Sequence, residues 1–504
     1  MNTITVKSIN DLSKTYQFVD NGEPKRGGVK DVFFSPDRKY VVAIFRDKLD
    51  FNQIDRLKRI TSIQHERLKS MEGGQFYIED IFRWPTDVIE HSGLTGIIVP
   101  IYKPNYFFKK GFATQDLIKG EEKNGKWFAG AKFRNSQFPL SIDSSELGNW
   151  LNYFQICVNI CRGVKKLHQM GLAHSDLSYN NVLIDPVDKS AVIIDLDGMV
   201  VPGVYPAEVI GTADFIAPEV LATKHLAISD SNRFLPNIKT DLHALPTLIY
   251  MFLLHRHPLK GGKVHDLDTE KDDLLSMGQK AVFIEHPTDT TNRPKLNQVS
   301  KWDLPWADTS KLPYTITGPY LKDLFNDAFI KGLHNPMLRP TADQWETALL
   351  KTTDLMQKCH NVSCEQKWYV FDNTNTPKCP FCGTAHKGTL PVLDLYYQFK
   401  PSVWKPENHR LMVYDNQYLF QWHANRNVTR NEKTTVEQKV PVGYFTFHNS
   451  KWVFVNQKLG SLKDLTEDKE VPIGSMVELT DGKKLLLSKE EGGRVVLINI
   501  ANTK

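Results

Sequence analysis

The stretch His174-Ser175-Asp176-Leu177-Ser178-Tyr179-Asn180-Asn181 sets a carboxylate and a carboxamide five residues apart, just before the apolar run Val182-Leu183-Ile184. A loop of that length can turn both side chains toward one point. The carboxylate then accepts or orients the proton of an attacking hydroxyl, while the amide holds a metal on a phosphate chain. One short hairpin later, Ile193-Ile194-Asp195-Leu196-Asp197-Gly198 supplies two more carboxylates. Asp195 can join Asn181 on the metal, and Asp197 reads equally as a second ligand or as a loop stabiliser. Either stretch alone could arise by chance. In this order they carry the chemistry of moving a phosphoryl group. Asp185 and Asp188, between them, read as turn residues.

A second cluster is built from sulfur. Cys359-x4-Cys364 and Cys379-Pro-Phe-Cys382-Gly are two thiol pairs separated by fourteen residues. Four thiolates at this spacing can close a tetrahedral zinc site with no open position, so its expected role is structural. His360 and His386 lie nearby as bystanders. Cys157 and Cys161, one helical turn apart on an apolar face, read as core residues.

The elements that must position these groups follow from periodicity and turn chemistry. Residues 27–46 predict two strands with a turn, 51–70 a helix, 96–102 a buried strand and 149–169 a long amphipathic helix. Residues 103–140 lack a clean period and read as a linker and insertion. After 210 the pattern is helical, with loops around 222–238 and 260–313. From about 390, aromatic and β-branched stretches alternate with turn signals, which predicts an all-β region. The chain has 504 residues and a formal net charge of +5, too mild for a nucleic-acid binder. The N-terminus has no apolar core of a signal peptide, and the longest apolar run, 244–254, is too short to span a bilayer. A cytoplasmic location, away from nucleic acid and membrane, is therefore expected, where bunched cysteines favour metal over disulfide.

Three further segments appear in order: Gly211-Thr212-Ala213-Asp214-Phe215-Ile216-Ala217-Pro218-Glu219, Asp241-Leu242-His243-Ala244-Leu245, and Asn335-Pro336-Met337-Leu338-Arg339-Pro340-Thr341-Ala342. With them, residues about 20–352 resemble the protein-kinase superfamily. The resemblance implies an α+β, bilobal kinase-like fold, with a small lobe over 1–103 and a large lobe over 104–352. It also implies ATP with Mg2+ or Mn2+ between the lobes and a protein substrate. Asp176 would be the base, and Asn181 and Asp195 metal ligands, with Asp197 a possible second carboxylate. Leu183 would lie beneath the adenine near Ala43. Glu219 and Arg339 would form an ion pair, Asp241 would anchor the catalytic loop, and Thr212 would approach Asp176.

The small lobe departs from that pattern. Val42-Ala43-Ile44-Phe45 puts Phe45 where the family has its phosphate-binding lysine, with Arg46 next. Gly27-Gly28-Val29-Lys30 resembles the glycine-rich loop of the with-no-lysine kinases, which carry that lysine on the preceding strand. Lys30 is accordingly the favoured cation over Arg46, and the Gly27 and Gly28 amides can approach phosphates. Glu66, on the predicted helix, is the assigned partner carboxylate, with Asp55 on the same helix. Ser175 replaces the arginine before the base, and Ser178 replaces a phosphate-directed lysine of serine/threonine kinases. These losses keep two alternatives open: a pseudokinase scaffold that binds nucleotide weakly, and a small-molecule kinase, against which the GTADFIAPE segment argues.

The zinc ribbon is expected over 353–388 and the β-rich, sandwich-like interaction domain over 389–504. Parts of that tail resemble forkhead-associated β-sandwiches, without their phosphothreonine-reading residues. Trp422, His423 and Arg426 are its surface candidates. The arrangement of kinase-like domain, ribbon and β-rich tail resembles bacterial kinases of tellurium-resistance-type systems. That resemblance implies a von Willebrand A-type protein and a PP2C-type phosphatase as partners.

Overall fold

A computed structural model describes residues 2–201, 204–207, 210–371, 373–374, 376–400 and 403–501. The chain divides into two compact units. One comprises 1–148, 155–309 and 324–346; the other comprises 149–154, 310–323 and 347–504. Among the described residues no helix is long and apolar enough to cross a membrane.

The first unit opens with a seven-stranded antiparallel sheet of order β2-β1-β6-β7-β5-β4-β3. Its strands are β1 (Asn2–Ser8), β2 (Thr15–Asp20), β3 (Lys25–Arg26), β4 (Lys30–Phe34), β5 (Tyr40–Phe45), β6 (Asp87–His91) and β7 (Leu94–Pro100). The β1–β2 hairpin extends this sheet beyond the strands that the sequence pattern indicated. Alternation along β5 sorts its side chains onto two faces. Val42 and Ile44 pack with Val6, Phe18, Ile89 and Ile98. Ala43 packs with Leu57, Val88 and Ile97, and Phe45 lies against that group. Leu57 comes from the helix Phe51–Arg59, which a capping box of Asp50 and Gln53 starts. That helix runs through a π turn at Ile60–Gln64 into the helix His65–Ser70, so the predicted helix 51–70 is one helical stretch.

Below the sheet, the helix Trp150–Gln169 leads into the segment from His174 to Asn181 and the hairpin β8 (Val182–Asp185) and β9 (Ser190–Ile193). Gly163 permits this helix to lie close, because a Cβ there would stand 2.6 Å from the Ile193 side chain. The helix Ile238–Leu254 is buried from Thr240 to Leu254. The segment read as a linker, 103–140, is built in as structure. Its Lys123 is almost fully buried and pairs with Glu146 at 3.0 Å and Asp185 at 3.3 Å. Asp185 also accepts the Val187 N–H at 3.0 Å, so it holds both the turn and the ion pair.

In the second unit, β10 (Met356–Lys358) and β11 (Trp368–Val370) form a small hairpin beside the cysteines. Two larger sheets follow. One has six strands in the order β13-β12-β21-β20-β17-β18, and the other four in the order β14-β15-β16-β19. Their strands are β12 (Leu390–Lys400), β13 (Val403–Met412), β14 (Gln417–Leu419), β15 (Gly443–His448), β16 (Lys451–Asn456), β17 (Lys463–Asp464), β18 (Lys469–Glu470), β19 (Met476–Glu478), β20 (Lys484–Leu486) and β21 (Arg494–Ala501). Leu393, Leu395, Val496 and Ile498 of the first sheet share a core with Phe445, Phe454 and Val477 of the second, as in a sandwich. The tail's surface candidates need correction. His423 is buried, and its Nε2 lies 3.5 Å from Asp354. Trp422 stacks on Phe420 at 4.4 Å, while Arg426 remains exposed above the Tyr397 ring at 4.1 Å. Burial wins for His423 because Asp354 and the Phe420 N–H satisfy its ring nitrogens.

Candidate active site

The loop from His174 to Asn181 is held from behind by Asp241. Its carboxylate accepts the backbone N–H groups of His174 at 2.8 Å and Ser175 at 3.1 Å. His168 Nε2 lies 3.1 Å from the same carboxylate. This grip holds Ser175 in the left-handed region at φ 70°, a conformation that a non-glycine residue keeps only when its surroundings impose it. The loop is also tied to the strand carrying Asp195. Ile194 donates its N–H to the Asn181 carbonyl at 3.0 Å, and its own carbonyl lies 3.0 Å from His174 Nε2. A second tie comes from Asn124, whose Nδ2 donates to the Asn180 carbonyl at 2.7 Å. Sequence reasoning missed Asn124; the Asn124-Gly125 turn signal was its only local trace.

The partners of Asp176 define its chemistry. Oδ1 accepts the Thr212 N–H at 2.6 Å and the Thr212 hydroxyl at 2.8 Å; Oδ2 accepts Asn181 Nδ2 at 2.9 Å. A carboxylate has about four acceptor positions. Three are taken, and one on Oδ2 remains open. Ser178 Oγ lies 3.1 Å from the Thr212 hydroxyl and can donate to its oxygen, so the serine in the lysine's place joins the same network. Because Asn181 uses its amide nitrogen on Asp176, its oxygen is the atom available to a metal.

Opposite them stands Lys30. Its ammonium lies 2.7 Å and 2.8 Å from the two oxygens of Asp197 and 2.9 Å from Asp195 Oδ1. The β4–β5 register explains how. Lys30 is directly across from Phe45, and cross-strand neighbours share a face. A lysine moved from β5 to that neighbour therefore projects to the same side, 5.3 Å from the Phe45 ring. Burial opposes the charge on Lys30, but Asp197 and Asp195 outweigh it and raise its pKa. Burial also opposes the charge on Asp195, yet the ammonium holds its carboxyl below the usual range. Burial keeps Asp197 raised, with the neighbouring Asp195 adding to it against the pull of Lys30.

Two assigned residues are not brought to this cluster. Glu66 is exposed and pairs with Lys69 at 2.8 Å, because its position on the helix turns it to solvent. Arg46 curls back onto the glycine turn. It donates to the carbonyls of Gly27 at 3.1 Å and Gly28, and lies 3.2 Å from Asp31. It staples that turn and occupies the carbonyls of both glycines. Ala43 and Leu183 are buried; Leu183 packs with Tyr106 and Val192, and Tyr102 lies against them. Glu219 and Arg339 meet through two bonds of 2.8 Å. Asp55, the other acid of the small-lobe helix, accepts the hydroxyl of Tyr205 and Arg59 Nε.

In the second unit the four sulfurs of Cys359, Cys364, Cys379 and Cys382 lie within 4.8 Å of one another. The Cys359–Cys382 separation is 3.5 Å and the Cys364–Cys379 separation 3.9 Å. Both are far longer than a disulfide bond. They bracket the edge of about 3.8 Å that a tetrahedron with zinc–sulfur bonds of about 2.3 Å requires. Gly383, at φ 74°, supplies the left-handed turn after the second pair.

Comparison with known proteins finds likenesses to protein kinases. Residues 148–365 match the protein kinase domain family. The Dual serine/threonine and tyrosine protein kinase of Apis mellifera is 31% identical over 74 residues, covering 15% of this chain and 8% of that protein. Serine/threonine-protein kinase PknD of Chlamydia muridarum is 26% identical over 231 residues, covering 40% of this chain and 22% of that protein. The chain thus spans less than a quarter of the length of these relatives. Among solved structures, a rhoptry kinase from Toxoplasma gondii aligns at 13% identity and TM-score 0.42, covering 69% of this chain and 83% of that one. Residues 148–365 are thus similar to protein kinase domains.

Proposed function

We propose that this chain is an ATP- and magnesium-dependent protein kinase that phosphorylates serine or threonine on protein partners. The reading rests on one observation: Asp176 keeps a single open acceptor position beside Asn181, on a loop tied to the strand of Asp195, with Lys30 across from it. In this reading Asp176 holds the substrate hydroxyl and takes its proton. Thr212 fixes the orientation of that carboxylate. Asn181 and Asp195 would hold magnesium, and Lys30 would meet the phosphates. ATP, when bound, supplies the phosphoryl group and the leaving ADP. Leu183 and Ala43 would enclose the adenine. The four cysteines would hold a structural zinc ion.

Ser178 removes a phosphate-directed charge, so turnover is expected to be slow. The same loss supports the second reading, a scaffold that binds nucleotide weakly and recruits partners through its β-rich tail. Partners of the von Willebrand A and PP2C types belong to the proposal on the strength of the domain arrangement. Incubation with labelled ATP, comparing wild type with Asp176→Ala and Asp195→Ala, separates the readings. Label in wild type alone supports the kinase; equal label in all three leaves only the scaffold.

A further inference from the structure

We propose that Asp197 is the positioning residue for Lys30, replacing the glutamate that other protein kinases carry on the small-lobe helix, and that Asp195 alone of the two carboxylates is left for metal. This rests on the kinase reading above. In those kinases the phosphate-binding lysine must pair with the helix glutamate, so movement of that helix switches activity.

Here the small-lobe helix has no carboxylate to offer. Residues 51–70 contain two acids, Asp55 and Glu66. Glu66 is held by Lys69, with 68% of its side chain exposed. Asp55 is engaged by Tyr205 and Arg59. The pairing has moved to the turn after Asp195. Asp195 adopts φ 61°, and Leu196–Gly198 forms a 3-10 turn, which brings residues 195 and 197 around one cation.

The two carboxylates divide their duties. An ammonium has three N–H donors. Lys30 makes three contacts: one to each oxygen of Asp197 and one to Asp195 Oδ1. Asp197 therefore has both oxygens committed, and only 11% of its side chain is exposed, against 49% for Asp195. Asp195 keeps an oxygen without lysine and faces solvent. When a phosphate oxygen approaches Lys30, the single, exposed contact to Asp195 is the one to exchange, while both bonds to Asp197 stay. Lys30 is then aimed without any reference to the helix.

The test uses the full chain with Lys30→Met, Asp197→Asn, Asp197→Glu, Asp195→Asn, Glu66→Gln and two doubles. In unliganded protein, the melting shifts of Lys30→Met and Asp197→Asn are expected to be non-additive, and those of Lys30→Met and Glu66→Gln additive. Manganese titration in the presence of ADP, read by electron paramagnetic resonance, is expected to weaken at least roughly tenfold in Asp195→Asn and by no more than about threefold in Asp197→Asn. Asp197→Asn should raise the KM for ATP roughly tenfold, the size of a lost charged hydrogen bond, with a smaller effect on kcat; Asp197→Glu should recover part. Coupling of Lys30 to Glu66 rather than Asp197, or equal loss of manganese in both aspartate variants, overturns the proposal. If wild type transfers no phosphate, the kinase reading fails, and the melting cycle still decides the ion pair.

Discussion

Arg339 offers the sharpest stability test. Its five N–H donors are all used: Nε on the Gly332 carbonyl, Nη1 on Glu219 and the Lys239 carbonyl, Nη2 on Glu219 and the Leu333 carbonyl. Its side chain is fully buried, and that of Glu219 is 15% exposed. Arg339→Ala therefore strands a carboxylate and three carbonyls in one step. Breaking a buried pair from one side costs about 3–5 kcal/mol. At about 2–4 °C per kcal/mol for a domain of this class, melting should fall by roughly 6–20 °C. Arg339→Lys keeps the charge but has only three N–H donors and no planar fork, so it should recover less than half of the loss. Differential scanning calorimetry of the full chain reads both, with the exposed Glu66→Ala as a control expected to stay within error. A fall below about 2 °C for Arg339→Ala would refute the idea that this pair braces the end of the segment running from Thr212 to Glu219.

The remaining predictions concern the loop, the metal and acid. Asn124→Ala removes the donor to the Asn180 carbonyl and should lower kcat more than it raises KM, as expected for a catalytic loop that is less well held; equal KM and kcat effects would contradict this. Zinc removal by chelation, or Cys379→Ser, should unfold the region of β10 and β11, seen as lost near-ultraviolet dichroism and zinc release to a colorimetric indicator. Purified full-length chain without zinc would reject the metal assignment. Acid should destabilise the first unit through buried histidines. His257 Nδ1 accepts the Leu259 N–H at 3.1 Å, its Nε2 lies 3.0 Å from the Asp214 carbonyl, and burial pushes its pKa down to about 4. Burial lowers His243 and His255 in the same direction. The unfolded chain then binds more protons between pH 6.5 and about 4, so stability is full above that window and falls as pH drops through it. Urea midpoints that rise on going from pH 7 to pH 5 would contradict the assignment.

Local spacing made part of the site legible before any coordinates. A carboxylate and an amide five residues apart, on one loop before a strand, meet wherever that loop folds back, and two cysteine pairs on tight turns face each other for a similar reason. The helix 51–70 and the β-rich tail followed from period alone. The segment 103–140 was opaque because its partners are distant. Lys123 is buried only because Glu146 and Asp185 receive it, and nothing in its own neighbourhood announces that. The β1–β2 hairpin joins the sheet through a strand far along the chain, with Lys7 facing Glu90 of β6, and that docking is not visible in local pattern.

The residue types and their spacing by themselves determined which groups can act: Asp176, Asn181, Asp195, Lys30 and the four thiols. Tertiary structure decided which of them act on one another. Sequence reading assigned the partner of Lys30 to the small-lobe helix, at Glu66, and read the two acids on the turn after β9 as metal ligands. Only the cross-strand register of β4 and the left-handed turn at Asp195 chose the second pair. An ion pair depends on a few ångströms between segments 165 and 167 residues apart, and sequence patterning constrains distances only within a few turns of the chain.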